Sequence, residues 1–312
     1  MPDLTRRSFL TSLGAAAGGW PARILFADDR ARAKALPLGF SLYGMKSVPV
    51  AEALAACAKI GYDAIELVAN ADWPTEPKNL TAGDRRELAG QIKDLGLALC
   101  ALMENLHEPA DDATHAANLD RLKAAAELGH ALSPQLPPVI ETVLGGKPAE
   151  WDQIKDRLAE RLQRWAETAA AAQTVIAVKP HVSNALQNPE RALWLMRQVD
   201  SRWIRLAFDY SHFWLQGLPL AETVAALMPH TSFIHVKDAR GTAEKFEFLL
   251  AGEGQIDYAA YLRQVATAGY RGPVVAEVSA QISTRAGYDP LAAARTVYEK
   301  LAPAMREAGV RR

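Results

Sequence analysis

A lysine ends the apolar run in VIAVKPHVSN (residues 175–184), where buried strands ordinarily give way to small or neutral side chains. Lys179, with His181 two residues on, raises the question whether an ammonium there meets water, a substrate or the place of a metal ion. Polar endings also close the other apolar runs: Tyr43, Glu66, Glu104 with His107, Glu141, Asp209 with His212, His235 with Lys237 and Asp238, and Glu277. Carboxylates and imidazoles brought to one place suit a divalent ion, or a pair of groups that give and take protons. Read singly, each is a solvated strand end or one half of an ion pair. All of them together point to a shared mouth.

The elements that must position these residues are legible in the periodicity. Eight β-rich runs, LPLGFSLYG, YDAIELVAN, LALCALMEN, LPPVIETVLGG, VIAVKPHVS, IRLAFDYSH, SFIHVKD and GPVVAEVS, alternate with stretches whose apolar residues recur every three or four positions. VAEALAACAKIG and WDQIKDRLAERLQRWAETAAAA are two of those helical stretches. Gly61, Gly96, Gly129 and Gly269 stand where helices are expected to stop, since glycine adopts the left-handed conformation of a helix C-terminus without strain. Strict alternation over residues 37–308 predicts a single α/β domain, a (β/α)8 TIM barrel, in which the active site lies at the C-terminal ends of the strands.

YDAIELV, KPH, FDYSH, IHVKD, GEGQIDY and VVAEVS occur in that order, and on these motifs the chain resembles the sugar phosphate isomerase/epimerase group of xylose isomerase-like barrels, which includes ketose 3-epimerases and inosose dehydratases. The resemblance covers nearly everything after residue 37 and implies a divalent ion held by Glu, Asp, His and Glu on strands five to eight. Asp209, His235 and Glu277 match three of those positions; at the fourth stands Lys179. In one reading Glu141 replaces the missing carboxylate, so that Glu141, Asp209, His235 and Glu277 hold manganese, magnesium, zinc or cobalt, and Lys179 becomes a neighbouring acid/base group whose pKa the cation lowers. In a second, the ammonium takes the metal's place, and in a third Lys179 makes a structural ion pair in a barrel that binds sugar without turning it over.

Within that frame Lys179, Glu277 and Glu141 are the catalytic candidates, and His181, His212, Lys237, Glu66 and Tyr43 the substrate-binding ones. Lys237 and Asp238 are expected to position a substrate hydroxyl or to orient Glu277, with a buried salt bridge as the alternative. Trp73 and Trp214 are candidates to stack on a sugar face or to pack under loops. His115, His130 and His230 are read as surface residues. The chemistry implied is metal-assisted removal of the proton next to a carbonyl, giving an enediolate that leads to isomerisation, epimerisation or elimination. No Gly-rich phosphate loop is present, so the expected partner is a non-phosphorylated sugar or keto-sugar.

A formal net charge of −1, from 35 basic and 36 acidic residues, gives no basic surface for nucleic acid, which argues against the apurinic endonuclease chemistry also found on this barrel. Arg6 and Arg7 in TRRSFL, followed by an apolar Gly/Ala-rich stretch, read as a twin-arginine export signal over residues 1–27 and imply a periplasmic protein. Removing those residues takes away a net +2 and leaves −3. Beyond that segment nothing approaches the roughly 18 apolar residues of a membrane span. Cys57 and Cys100 are expected to be buried free thiols, because a domain of this size does not need a disulfide.

Overall fold

The computed structural model describes residues 36–311, so the segment read as an export signal lies outside the described residues. Eight parallel strands close into a barrel: β1 (Leu38–Ser41), β2 (Ala64–Val68), β3 (Ala98–Met103), β4 (Val139–Val143), β5 (Ile176–Lys179), β6 (Ile204–Phe208) and β7 (Thr231–Val236), completed by β10 (Val274–Ala276). Closure is made by β1, which pairs with β2 on one side and β10 on the other. Each expected strand is present. Such strands are covered on both faces, which is why their sequences are apolar throughout rather than alternating.

Around the barrel lie α1 (Val50–Ile60), α2 (Ala82–Asp94), α3 (Asp112–Leu132), α4 (Trp151–Ala172) and α5 (Pro189–Val199), then α6 (Tyr210–Trp214), α7 (Leu220–Leu227), α8 (Tyr258–Thr267), α9 (Ala280–Ser283) and α10 (Pro290–Glu307). Gly61 ends α1 with a φ of 111°, as its type predicts. Gly129 does not end α3. It lies inside that helix, where a Cβ would stand 3.1 Å from Pro138, so its smallness serves close packing rather than a turn. Between β7 and α8 the chain forms an antiparallel hairpin that the strand count did not anticipate, β8 (Asp238–Thr242) and β9 (Lys245–Leu249).

Small side chains fill the lower barrel interior: Ala101, Val139, Val175, Ala177, Ala207 and Val275 pack around Phe233. Above this plug the interior changes character abruptly. Phe233 lies 4.7 Å, centroid to centroid, from His235, and with His235 begins a layer of buried charged groups. Cys57 is buried and Cys100 half-buried, and both are free thiols; Cys100 donates to the Ile65 carbonyl at 3.2 Å. No helix among the described residues is long and apolar enough to cross a membrane.

Candidate active site

Strand ends deliver the charged layer. Glu66 lies within β2, Glu141 within β4, Lys179 at the last position of β5 and His235 in β7, while Asp209 and Glu277 are the residues immediately after β6 and β10. Lys237 follows β7 directly. Glu66, Glu141, Asp209 and His235 are inaccessible to solvent, Lys179 and Lys237 nearly so, and Glu277 retains 9 % exposure. Four carboxylates and two ammoniums buried together demand mutual pairing, since an unpaired buried charge is prohibitively unfavourable.

The pairing centres on the two lysines. Lys179 Nζ donates to His235 Nδ1 at 3.0 Å and to Glu277 Oε2 at 3.1 Å, and makes an ion-pair contact with Glu141 Oε1 at 3.1 Å. Two of the ammonium's three protons are thus engaged, on His235 and Glu277, while the contact with Glu141 is an ion pair without hydrogen-bond geometry. Lys237 Nζ reaches the same Glu277 oxygen at 2.8 Å, donates to Asp209 Oδ2 and lies 3.3 Å from His212 Nε2. The other Asp209 oxygen accepts from the Ser211 hydroxyl at 2.7 Å and from its backbone N–H at 3.1 Å. Asp209 is thereby used at both oxygens.

Hydrogen bonding fixes the histidines. Because a lysine only donates, His235 Nδ1 accepts from Lys179 and Nε2 donates to Glu66 Oε2 at 2.9 Å. Burial alone would lower the His235 pKa, but the Glu66 and Glu277 carboxylates outweigh it and the value is raised. His212 Nδ1 accepts from the Val182 N–H at 3.4 Å, and its Nε2 lies 3.3 Å from Lys237 Nζ and 3.6 Å from Asp209 Oδ2. Burial, then His181 and Lys237, holds the His212 pKa well below the usual imidazole range. His181, whose ring centroid is 4.2 Å from that of His212, is pushed down to about 3 by burial and by Lys237 and Lys179. Both rings are neutral at physiological pH.

The carboxylates differ in the same way. Burial raises the Glu277 pKa, yet Lys179, Lys237 and His235 more than reverse this and set it well below the usual range. Glu141 is raised, because burial outweighs the help from Lys179, and neither of its oxygens has a hydrogen-bond partner. Burial would also lower the Lys179 pKa, but Glu141 and Glu277, with Asp209 and Glu66 behind them, turn the shift upward. Lys179 accordingly stays an ammonium, a hydrogen-bond donor and a fixed positive charge.

The remaining candidates are distributed around this centre. Tyr43 stands half-buried after β1, its ring 5.2 Å from Trp73 in a stacked arrangement, and its pKa is raised by burial and by Glu277. Trp73 carries Lys46 at 4.7 Å from its ring centre, so it packs within the loops. Trp214 packs with Val182, Leu215, Ala239 and Phe248 in a small apolar cluster. Phe248, from the unforeseen hairpin, lies 4.9 Å from Lys237 Nζ and 5.2 Å from the His212 ring centre, covering both. Its alternation with Phe246 in KFEFL was the available signal.

Three expectations change. Asp238 neither faces a substrate position nor orients Glu277: its carboxylate accepts from the backbone N–H groups of Gly252 at 2.7 Å and Ile256 at 3.2 Å, tying the GEGQIDY segment to the end of β7. Glu104 is paired with Arg121 of α3, with burial pushing it up to about 7, while His107 is exposed in a left-handed conformation. His115 is not a surface residue; it is buried, 2.8 Å from Glu108 Oε1, an oxygen that also accepts from Asn118. His130 and His230 are half-buried, His130 lying 2.8 Å from the Ala172 carbonyl oxygen.

The four residues expected to hold a metal ion are split between two centres. Glu141, His235 and Glu277 surround Lys179 Nζ at 3.0–3.1 Å, while Asp209 is turned to Lys237 and Ser211. Those are hydrogen-bond distances around a nitrogen; magnesium or zinc draws its oxygen and nitrogen ligands to about 2.0–2.2 Å. Among the described residues no group of three or more His, Cys, Asp or Glu is arranged to hold a metal ion. The expected ligands are present but divided between two ammoniums, and a shared ion does not fit them.

Comparison with known proteins agrees with the architecture. Inosose dehydratase from Geobacillus thermodenitrificans (strain NG80-2) is 26% identical over 146 residues, 42% of this chain and 49% of that protein. The chain thus spans about half the length of the curated relatives it matches. A xylose isomerase domain protein from Alicyclobacillus acidocaldarius subsp. acidocaldarius superposes with a TM-score of 0.72 at 19% identity, over 88% of this chain and 99% of that one. A barrel protein from Mycobacterium smegmatis, solved in complex with magnesium, superposes with a TM-score of 0.67 at 16% identity, over 89% and 99% of the two chains. Residues 54–307 match the family model described as xylose isomerase-like TIM barrel, and the chain belongs to that family.

Proposed function

We propose that this barrel is an enzyme that moves the proton next to the carbonyl of a non-phosphorylated sugar or keto-sugar, through an enediolate. The observation that carries the reading is Glu141 beside Lys179: a buried carboxylate with a raised pKa and no hydrogen bond, 3.1 Å from a buried ammonium. A carboxylate so placed takes a proton from carbon more readily than an exposed one, and a cation fixed beside it stabilises the oxyanion that results.

The chain's own residues suffice for these roles. The Glu141 to Lys179 contact lacks hydrogen-bond geometry, so it is the one that a substrate oxygen can take over while His235 and Glu277 keep the ammonium in place. Lys237, braced by Asp209, provides a second cationic donor on the far side of Glu277. His181, neutral and with Nδ1 occupied by the Ser183 N–H, offers Nε2 to a sugar hydroxyl, while the buried His212 keeps its Nε2 against Lys237 and Asp209. Isomerisation or epimerisation results when the proton returns to carbon, and dehydration when a β-hydroxyl leaves instead. The dehydratase relatives support including the last outcome.

The test is proton exchange. Purified protein is incubated in D2O with ketoses, inososes and 3-keto-glycosides, and the α-carbon signals are followed by NMR together with any enone absorbance. Exchange or elimination by the wild type, reduced about 10²–10⁴-fold in Glu141→Gln, is expected. No exchange and no elimination across the panel, with binding still detected by calorimetry, would replace the enzyme with a sugar-binding barrel. Export through the Arg6–Arg7 segment is part of the same proposal, checked by whether replacing both arginines with lysine retains the protein in the cytoplasm.

A further inference from the structure

We infer that the ammonium of Lys179 occupies the position of a catalytic divalent ion, and that this barrel is built to work without a bound metal. It stands on the site's geometry, and only the use of that charge on an enediolate oxygen rests on the reaction proposed above.

Four observations converge on it. Lys179 Nζ sits among Glu141, His235 and Glu277, three side chains of the kinds that bind divalent ions, donating to His235 and Glu277 and lying 3.1 Å from Glu141 as an ion pair. His235 turns Nδ1 toward that nitrogen and is held from behind at Nε2 by Glu66, the carboxylate and imidazole arrangement that orients a histidine on a cation. Asp209 is withdrawn from the group, with one oxygen on Lys237 and the other on Ser211. Lys179 also has no room for an alternative role at the surface, being buried to 3 % exposure behind Glu277. A fixed ammonium and a divalent ion answer the same electrostatic need, a positive charge at the point where an enediolate oxygen develops, but the ammonium adds directed protons and cannot be removed by a chelator.

Exchanging the lysine for a carboxylate and adding one divalent ion leaves the net charge of the site unchanged, which makes Lys179→Glu the informative variant. Metal content of the wild type, Lys179→Glu and Lys179→Gln is measured by elemental analysis after purification without chelator, and melting temperatures are compared with and without EDTA, Mn²⁺, Mg²⁺ and Zn²⁺. The wild type is expected to hold below ~0.1 ion per chain and to melt at the same temperature in all conditions, because the ligands are already engaged. Lys179→Glu is expected to take up about one ion per chain and to melt roughly 5 °C higher in saturating Mn²⁺. Should that variant fail to fold, Lys179→Gln, which removes the charge at nearly constant volume, decides by the same two readings. About one ion per chain in the wild type, with a melting temperature lowered by EDTA, overturns the inference. So does a metal-free wild type whose folded variants also bind none, since the lysine would then not be standing in an ion's place.

Discussion

Lys179 and Lys237 meet on one atom: Glu277 Oε2 lies 3.1 Å from the first ammonium and 2.8 Å from the second. A single carboxylate oxygen thereby joins a strand end on one side of the barrel to the segment after β7, and screens the two cations from one another. Glu277→Gln removes the carboxylate that both ammoniums contact. The expected loss of stability is about 3–5 kcal/mol, the usual result of stranding buried charge, measured by urea unfolding at pH 7. A loss under about 1 kcal/mol would mean that the lysines find other partners.

The two neutral histidines give the protein an acid-sensitive term. His181 titrates at about 3 in the folded chain, whereas an unfolded histidine titrates near 6.5. Between those values the unfolded state binds the extra proton, so this contribution to stability is complete above about pH 6.5 and is lost as pH falls toward 3. Its slope is at most about 1.4 kcal/mol per pH unit. Glu104, raised to about 7, acts in the opposite direction over part of the same range, so the comparison must be made by difference. Unfolding free energies at pH 7 and pH 5 are expected to differ less in His181→Gln than in the wild type, and equal differences would contradict the assignment.

Phe248 covers Lys237 and His212 from the hairpin. Truncating it to alanine is expected to destabilise the protein by about 3 kcal/mol, the lower end for a buried phenylalanine, because the cluster beneath it is small. More diagnostic is access: amine-directed labelling followed by peptide mass spectrometry is expected to find Lys237 modified faster in Phe248→Ala than in the wild type. Unchanged labelling would show that the hairpin does not shield the site.

Gly254 and Asp238 form a matched pair. A Cβ on Gly254 would lie 2.4 Å from Asp238 Oδ1, the oxygen that accepts from Ile256, so the glycine lets the backbone approach the carboxylate that holds it. Gly254→Ala is expected to cost about 1–3 kcal/mol through this clash. Asp238→Asn is expected to cost a similar amount through weakened bonds to the turn. Since both act on one tether, the double variant is expected to lose less than the sum, by chemical unfolding.

Much of this was legible in the chain. Eight apolar runs sufficed for the barrel because strands covered on both faces leave a plain compositional trace, and their polar endings sufficed to nominate Glu66, Glu141, Lys179, Asp209, His235 and Glu277. Lys179 announced itself by being the wrong type for its position. Its partners did not, because the contact from Lys179 to Glu277 spans 98 residues and that from His235 to Glu66 spans 169, and no local spacing encodes either. The family resemblance, with Glu141 in the fourth place, implied four ligands around one ion as one of three readings; side-chain direction divides them between two lysines. His115 was misread for a related reason: α3 has little apolar asymmetry, so its buried face is set by the loop around Glu108 rather than by its own pattern.

The barrel's last strand also carries a meaning for how the site comes into being. Glu277 follows β10, the segment that completes the cylinder by pairing with β1. Until that staple is in place, Lys179 has only Glu141 and Lys237 only Asp209 as carboxylate partners, and the oxygen that lies between the two ammoniums is missing. Architecture and charge neutralisation thus depend on the same stretch of chain, so a barrel opened at this seam also loses the oxygen that both ammoniums contact.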